Sequence, residues 1–170
     1  TRVADVVDDG GNEQVFNSSE GVLYAEISQL NADATVRAIS INDGSVNNRV
    51  MIYFNNGLFV WTVKSSTATI FERGVDVLSS LDFLKVAFKY KQNDFTLFID
   101  GVEVDSFNSG NTPLNLSSLD YNTGLGASPF YGKTKEISYY DTALTDAELE
   151  YLTSYRSLNE LVTELNLNTL

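Results

Sequence analysis

The sequence contains neither cysteine nor histidine. Without cysteine there is no disulfide, no thiolate nucleophile and no cysteine-bound zinc. Without histidine the chain lacks the most common general base near neutral pH and the most common transition-metal ligand. Histidine-dependent serine triads and zinc hydrolases are therefore excluded. What remains is the chemistry of carboxylates, tyrosine, lysine and arginine, calcium binding, or binding without catalysis.

Basic residues are also scarce, since 11 Lys and Arg stand against 23 Asp and Glu and give a formal net charge of −12. A surface this acidic repels phosphate backbones, so we expect no nucleic-acid partner. No apolar run approaches the roughly 20 residues of a membrane-spanning helix, so we expect no membrane insertion. The 170 residues, 43% of them hydrophobic, fit one domain. The chain begins with Thr1 and has no signal peptide, and we interpret it as part of a larger parent protein.

Most of the chain shows the alternation of apolar and polar residues that is typical of β-strands. An Asn-Asn-Gly turn at residues 55–57 and an Asp-Gly turn at residues 100–101 indicate tight hairpins. Residues 108–129 are rich in Asn, Ser and Gly, and we expect a long surface excursion around one short strand. The other strands are predicted at residues 21–30, 37–42, 49–54, 58–64, 67–73, 84–90, 95–99, 102–107 and 134–140.

A helix is predicted only near the end of the chain. Thr145 and Glu148 have the spacing of a capping box, and leucines follow at helical spacing. A second box at residues 157–160 begins a further amphipathic stretch. We therefore divide the chain into a sandwich over residues 1–155 and an extension over residues 156–170, docked on the sandwich or on a neighbouring subunit. The predicted fold class is all-β: an antiparallel β-sandwich with a short C-terminal helical segment.

Two segments resemble the laminin-G-like family. Residues 84–107 (LKVAFKYKQNDFTLFIDGVEVDSF) are similar to its central hairpin, and residues 130–154 (FYGKTKEISYYDTALTDAELEYLTS) to its closing strand and helix. The resemblance covers about residues 15–155 and implies the concanavalin A-like lectin/glucanase jelly roll. Similar Asn-rich modules lie at the ends of bacteriophage tail and virion-surface proteins. This similarity implies a location on the virion surface or outside the cell, and it is compatible with a homo-oligomer.

Two enzyme classes on this fold do not match the residues. Sandwich glucanases carry a Glu-x-Asp-x-x-Glu strand, whereas Glu103 and Asp105 are followed by Asn108 in place of the last carboxylate. Polysaccharide lyases use a His or Tyr base with Arg or Gln, and the chain has no His and none of their strand motifs. We therefore predict no enzyme activity, and a lyase or glycanase remains the third alternative.

An acidic loop near the start is the candidate metal site. Asp8, Asp9, Asn12 and Glu13 place four oxygen-donor side chains around two glycines. Calcium takes six to eight oxygen ligands, although this spacing differs from that of an EF-hand loop. The resemblance also implies a structural calcium, because sandwiches of this family often hold one. No cofactor is otherwise required.

Three aromatic residues support a binding hypothesis: Trp61, Tyr53 and Tyr139. Sugar rings stack their C–H faces on aromatic rings, while amides such as those of Asn47 and Asn48 bind the hydroxyl groups. The alternative for Trp61 is a place in the core. We predict a non-catalytic, lectin-like carbohydrate-binding module of a larger phage or bacterial surface protein, whose partner is a polysaccharide or cell-surface glycan. The alternative is a structural or decoration domain of a virion protein that binds no sugar.

Overall fold

The computed structural model describes residues 7–77 and 81–155, and folds them into ten β-strands and one α-helix. Every strand predicted above is present, and β9 is the short strand expected within residues 108–129. The elements are β1 (Glu20–Gln29), β2 (Arg37–Asn42), β3 (Arg49–Asn55), β4 (Leu58–Ser65), β5 (Ala68–Asp76), β6 (Leu84–Lys91), β7 (Asp94–Ile99), β8 (Val102–Phe107), β9 (Ser118–Asp120), β10 (Gly132–Tyr140) and α1 (Asp146–Thr153).

The strands form two five-stranded sheets that pack face to face. The front sheet has the order β5-β4-β3-β2-β9, and the back sheet has the order β10-β1-β6-β7-β8. All the pairs within them are antiparallel. The prediction of an all-β antiparallel jelly-roll sandwich with a short C-terminal helix is confirmed.

Two tight turns fix the register of their hairpins. Asn56 and Gly57 have φ values of 51° and 79° between β3 and β4, and Asp100 and Gly101 have values of 50° and 83° between β7 and β8. Two successive positive φ values match the right-handed twist of the flanking strands. The turns therefore set which residues of the paired strands face each other, and hence which share a face.

Apolar side chains from alternate strand positions fill the space between the sheets. Leu23, Ala25 and Ile27 of β1 point into this core, as the alternation predicts. Near the centre, Trp61 of the front sheet meets Phe88 of the back sheet edge to face, with ring centroids 5.1 Å apart. Each such side chain contributes about 1.5–3 kcal/mol by its burial. The aromatic contacts across the core hold the two sheets in one arrangement.

Helix α1 lies on the outer face of the back sheet. The predicted capping box is confirmed: Glu148 N donates to Thr145 Oγ1, and Thr145 N donates to the Glu148 carboxylate over 2.7 Å. The buried Leu149 packs against Val22 and Phe98 of the sheet. The back sheet is thus covered on its outer side, whereas the described chain places no helix over the front sheet.

The C-terminal extension and the second capping box, at residues 157–160, lie outside the described residues, so the proposed docking of residues 156–170 stays a prediction. Within the described ranges, no helix has the length and hydropathy needed to cross a bilayer.

Candidate functional site

The outer face of the front sheet, which we call the front face, is the candidate binding surface. Alternation along β3 sends Val50, Ile52 and Phe54 into the core, so the residues between them point outwards. The cross-strand pairs then place the outward residues of β2, β4 and β5 on the same side. The front face comprises Ala38, Ser40, Asn42, Arg49, Met51, Tyr53, Val60, Thr62, Lys64 and Glu72.

One end of the front face is apolar. Ala38, Met51, Tyr53 and Val60 form a small cluster separate from the main core, and Val36 packs against it. Tyr53 retains 9% of its surface, so its ring forms part of the floor of this face rather than a projecting platform. An aromatic ring with apolar neighbours is suited to the C–H face of a sugar.

The other end is polar and has a wall made by residues 122–124. Ser40 Oγ donates to Asn122 O over 2.8 Å, and Arg49 Nη1 donates to Thr123 O over 2.6 Å. Gly124, with φ of 97°, packs so closely that a Cβ there would lie 2.8 Å from Ser45 O. Only glycine fits both the backbone angle and this space. Through these hydrogen bonds, residues 122–124 extend across β2 and contact Arg49 of β3.

Electrostatics differ along the front face. Burial, together with the nearby Glu72 carboxylate, raises the pKa of Tyr53 to about 12, so its phenol stays protonated at neutral pH. Burial lowers the pKa of Arg49, and Glu72 partly opposes that effect. Glu72 is exposed on the same face. The front face thus carries a phenol donor, a carboxylate acceptor and a guanidinium.

Trp61 does not lie on this face, and the prediction that it stacks on a sugar is corrected. Its side chain has no exposed surface, because β4 directs it between the sheets. The ring contacts Phe71 and Phe88, and its Nε1 donates to Asp105 over 3.1 Å. Trp61 is a core residue, which was the alternative stated above.

Tyr139 also points inwards, at one end of the sandwich. Its hydroxyl lies 2.9 Å from that of Tyr90 and accepts a hydrogen bond from Asn17 N. Its ring meets Phe16 edge to face. Both the ring and the hydroxyl of Tyr139 are therefore engaged within the fold. Tyr139 also belongs to β10 of the back sheet, not to the front sheet. The structure therefore does not bring Tyr139 together with Tyr53.

The two predicted asparagines lie in the loop between β2 and β3, next to Arg49. Both polar atoms of the Asn48 amide have partners in the chain, because Oδ1 accepts from Ser66 N and Leu114 N while Nδ2 donates to Asp43. Asn47 is exposed at the rim. Of the five predicted ligand-binding residues, Tyr53 lies on the front face and Asn47 beside it.

Several residues of the acidic loop already make hydrogen bonds within the chain. Asp9 N donates to Asp120 Oδ1, and Asn12 Oδ1 accepts from Gln14 N. Asp8 accepts a long bond of 3.5 Å from Asn122, while Glu13 is exposed. Among the described residues no three acidic side chains gather as a metal-binding group. Calcium at this loop stays a prediction.

Asp105, the second carboxylate of the incomplete glucanase motif, makes contacts within the fold. Its neighbour Glu103 is exposed, but the register shift of β8 against β7 turns Asp105 towards the core, where Arg73 and Trp61 bind it. This carboxylate is therefore structural.

Arg49 and Glu72 are two charged front-face residues that the sequence patterns did not single out. Both could have been found by counting alternate positions outwards from the Asn-Asn-Gly turn and across β4. The contact of Arg49 with Thr123 could not, because these residues are far apart in sequence and joined by no local pattern.

Solved structures with the same fold include sugar-binding proteins. The CBM40 carbohydrate-binding module of the Ruminococcus gnavus IT-sialidase, bound to α2,3-sialyllactose, matches at a TM-score of 0.68 and 14% identity, over 91% of this chain and 97% of that one. A leech intramolecular trans-sialidase complexed with 2,7-anhydro-Neu5Ac matches at 0.68 and 16%, over 89% and 27% of the two chains. A pentraxin of Limulus polyphemus matches at 0.65 and 8%, over 89% and 76%.

At these identities the structural likeness shows the fold alone. No curated protein matches the chain. A laminin G family model, described as the concanavalin A-like lectin/glucanases superfamily, matches residues 12–150, which confirms the resemblance seen in residues 84–107 and 130–154. The chain belongs to the concanavalin A-like lectin/glucanases superfamily.

Proposed function

We propose that this protein is a carbohydrate-binding module and that its ligand lies on the front face. The observation that carries the proposal is the apolar cluster around Tyr53, which sits on an outer sheet face among hydrogen-bonding groups. Structural neighbours that are carbohydrate-binding modules support the same function.

Binding would combine two kinds of contact. The apolar floor, with Tyr53 and Met51, takes the C–H face of a sugar, while Glu72 and the rim residue Asn47 offer hydrogen bonds to hydroxyl groups. A shallow site of this kind binds weakly, and several copies on one particle or one polymer raise the effective affinity. The function requires no covalent chemistry, and we propose binding without catalysis, which the lack of histidine supports.

The biological setting is part of the proposal. We infer a larger phage or bacterial surface protein, located on a virion or outside the cell, that presents this module to a polysaccharide or cell-surface glycan. The leech trans-sialidase supports such an arrangement, since the matching region is 27% of that chain. We also propose that the protein forms a homo-oligomer, which light scattering tests. We further propose a structural calcium at Asp8, Asp9, Asn12 and Glu13, which elemental analysis tests.

A glycan array followed by calorimetry tests the function. We expect the protein to bind a defined set of glycans and Tyr53→Ala to weaken that binding, because the floor of the site is lost. Tyr151→Ala is the matched control, since this exposed tyrosine lies on α1, across the sandwich. Melting curves show whether each variant is folded.

Three other results would contradict the proposal in different ways. If Tyr151→Ala loses glycan binding and Tyr53→Ala does not, the binding site lies at α1 and not on the front face. No glycan bound by the folded protein would favour the structural or decoration role. Release of reducing ends or unsaturated products from alginate or laminarin would reveal an enzyme.

A further inference from the structure

An apolar groove runs beside α1 on the outer side of the back sheet. It is lined by Tyr140, Leu144, Ala147, Glu148, Tyr151 and Leu152, of which five are apolar or aromatic. Ala147 and Tyr151 are exposed. Contiguous apolar surface of this kind usually marks a place where another segment or another protein packs. We call this surface the helix groove.

The helix groove lies on the side of α1 that faces the edge of the sheet. α1 packs on β6, β7 and β8, whereas Tyr140, which forms the far wall of the groove, is the last residue of β10. In the back sheet, β10 is the edge strand next to β1. The described residues place no second helix here, so the sheet leaves room for one beside α1.

The path of the chain after α1 leads towards this side. Ser154 ends the helix with φ of −67° and ψ of 146°, and it packs against Gly101 in the turn between β7 and β8. The next residue, Tyr155, lies at the start of β6: its hydroxyl donates to Phe83 O over 2.8 Å, and Lys85 Nζ lies 4.9 Å from its ring centre. Because β6 lies between β7 and β1, the chain leaves α1 in the direction of β1 and β10.

The sequence that follows Tyr155 has the pattern of an amphipathic helix. The capping box at residues 157–160 marks a start, and apolar residues then recur at the spacing of one helix face: Leu158, Leu161, Val162 and Leu165. Leu167 falls on the opposite face, so the predicted helix ends near residue 166. These residues lie outside the described part of the chain, and this helix is a prediction from the sequence.

We propose that residues 158–166 form a second helix that packs antiparallel to α1 in the helix groove, with Leu158, Leu161 and Leu165 against its apolar walls. The lengths agree, since α1 has 8 residues, about 12 Å at roughly 1.5 Å per residue, and Leu158 to Leu165 is the same span. Residues 154–157 form the connection. Connections of two to five residues are typical of antiparallel helix pairs.

The tail of the same chain is favoured over a separate molecule because it is tethered. A short linker holds its segment at an effective concentration in the millimolar range, and a free partner must reach a comparable concentration to compete. In the proposed arrangement Glu160 and Glu164 point to solvent, because they lie on the other side of the predicted helix from Leu158 and Leu165. The inference is independent of the proposed function, since the helix groove and the front face lie on opposite sides of the sandwich.

Hydrogen exchange measured by mass spectrometry on the full chain tests the docking. We expect the amides of residues 159–166 to exchange roughly ten-fold or more slowly than in a free peptide of the same sequence, because docking buries several leucine side chains. Ala147→Lys puts a charged side chain into the groove and is expected to remove most of this protection. Glu150→Lys is the matched control, since Glu150 is exposed on α1 and does not line the groove.

Introduced cysteines test the direction of packing, because the natural chain contains none to interfere. Ala147→Cys combined with Leu165→Cys is expected to form a disulfide within one chain under mild oxidation, since antiparallel packing brings these positions together. Ala147→Cys combined with Leu158→Cys is the control, because antiparallel packing places Leu158 at the other end of α1. A non-reducing gel separates disulfides within one chain from those between two chains.

Four results would overturn the inference. Amides of residues 159–166 that exchange as fast as those of the free peptide would show that the segment does not dock. Protection that Ala147→Lys retains would place the segment elsewhere on the sandwich. Disulfides that form only between two chains would make a second copy the occupant. A disulfide to Leu158→Cys without one to Leu165→Cys would reverse the direction. If Ala147→Lys does not fold, the exchange of the wild-type chain and the two cysteine pairs decide.

Discussion

The indole of Trp61 and the carboxylate of Asp105 join the two sheets of the sandwich. Nε1 of Trp61, on β4 of the front sheet, donates a hydrogen bond of 3.1 Å to Oδ2 of Asp105, on β8 of the back sheet. Arg73 of β5 pairs with both oxygens of the same carboxylate. Burial alone would raise the pKa of Asp105, but the bonds from Arg73 and Trp61 outweigh burial, and the pKa lies below its ordinary value. The side chain is charged in the folded state and holds two strands of the opposite sheet.

Replacing Asp105 tests this connection between the sheets. Asp105→Ala leaves the indole N–H of Trp61 buried without an acceptor, and we expect the free energy of unfolding to fall by about 1–3 kcal/mol. Glu103→Ala is the control, because Glu103 is exposed on the same strand, and we expect a change within about 0.5 kcal/mol. Urea unfolding measures both. Equal losses in the two variants would show that the hydrogen bond contributes nothing specific.

The fluorescence of Trp61 reports its place in the core. It is the single tryptophan of the chain and has no exposed surface. We expect acrylamide to quench its emission weakly in the native protein and several-fold more strongly in concentrated urea. The emission of Trp61→Phe serves as the blank. Native quenching as strong as that of the unfolded chain would place the indole at the surface and revive it as a sugar-binding residue.

The capping box at the start of α1 contributes to stability. Thr145→Ala removes the hydroxyl that accepts a hydrogen bond from Glu148 N, and we expect a loss of about 1 kcal/mol in urea unfolding. Thr142→Ala is the matched control, since Thr142 is exposed and precedes the helix. A larger loss in the control would mean that the helix start is held by other contacts.

The phenol of Tyr53 makes the stability depend on alkaline pH. Its pKa rises from 10.0 to about 12 in the folded protein through burial and the nearby Glu72 carboxylate. The folded state therefore keeps a proton that the unfolded state releases. This contribution to stability is complete below about pH 10 and is lost as the pH rises towards 12.

Absorbance titration of the phenols, compared between the wild-type protein and Tyr53→Phe, isolates this ionisation. The difference curve is expected to have its midpoint near pH 12. A midpoint near 10 would show that the phenol is solvated, and the front face would then be more open than the structure indicates.

Local patterns determine much of the fold. The pairs Asn56-Gly57 and Asp100-Gly101 specify their turns through the positive φ angles that these residues tolerate. Thr145 and Glu148 mark the start of α1 through their own hydrogen bonds. Each of these features needs only residues a few positions apart, so the sequence alone was sufficient to predict them.

The site could be predicted only in part. Alternation shows that Trp61 and Phe59 share one face of β4, but it does not show which face is buried, because Val60 and Thr62 on the other side are also shielded. Which face of β4 lies between the sheets depends on its packing against the back sheet. The wall at Thr123 and the turn of Asp105 towards the core depend on contacts between distant strands, which no short pattern encodes.

The pairing of β1 with β10 has a consequence for biosynthesis. The two strands are the first and last described, so β1 forms one of its two hydrogen-bonded edges only after nearly the whole sandwich has left the ribosome. Until then, a ten-residue strand with eight buried positions is an open edge. Exposed apolar edges template aggregation. Truncation before Gly132 would make this nascent-chain hazard permanent, and yields of soluble product would fall sharply.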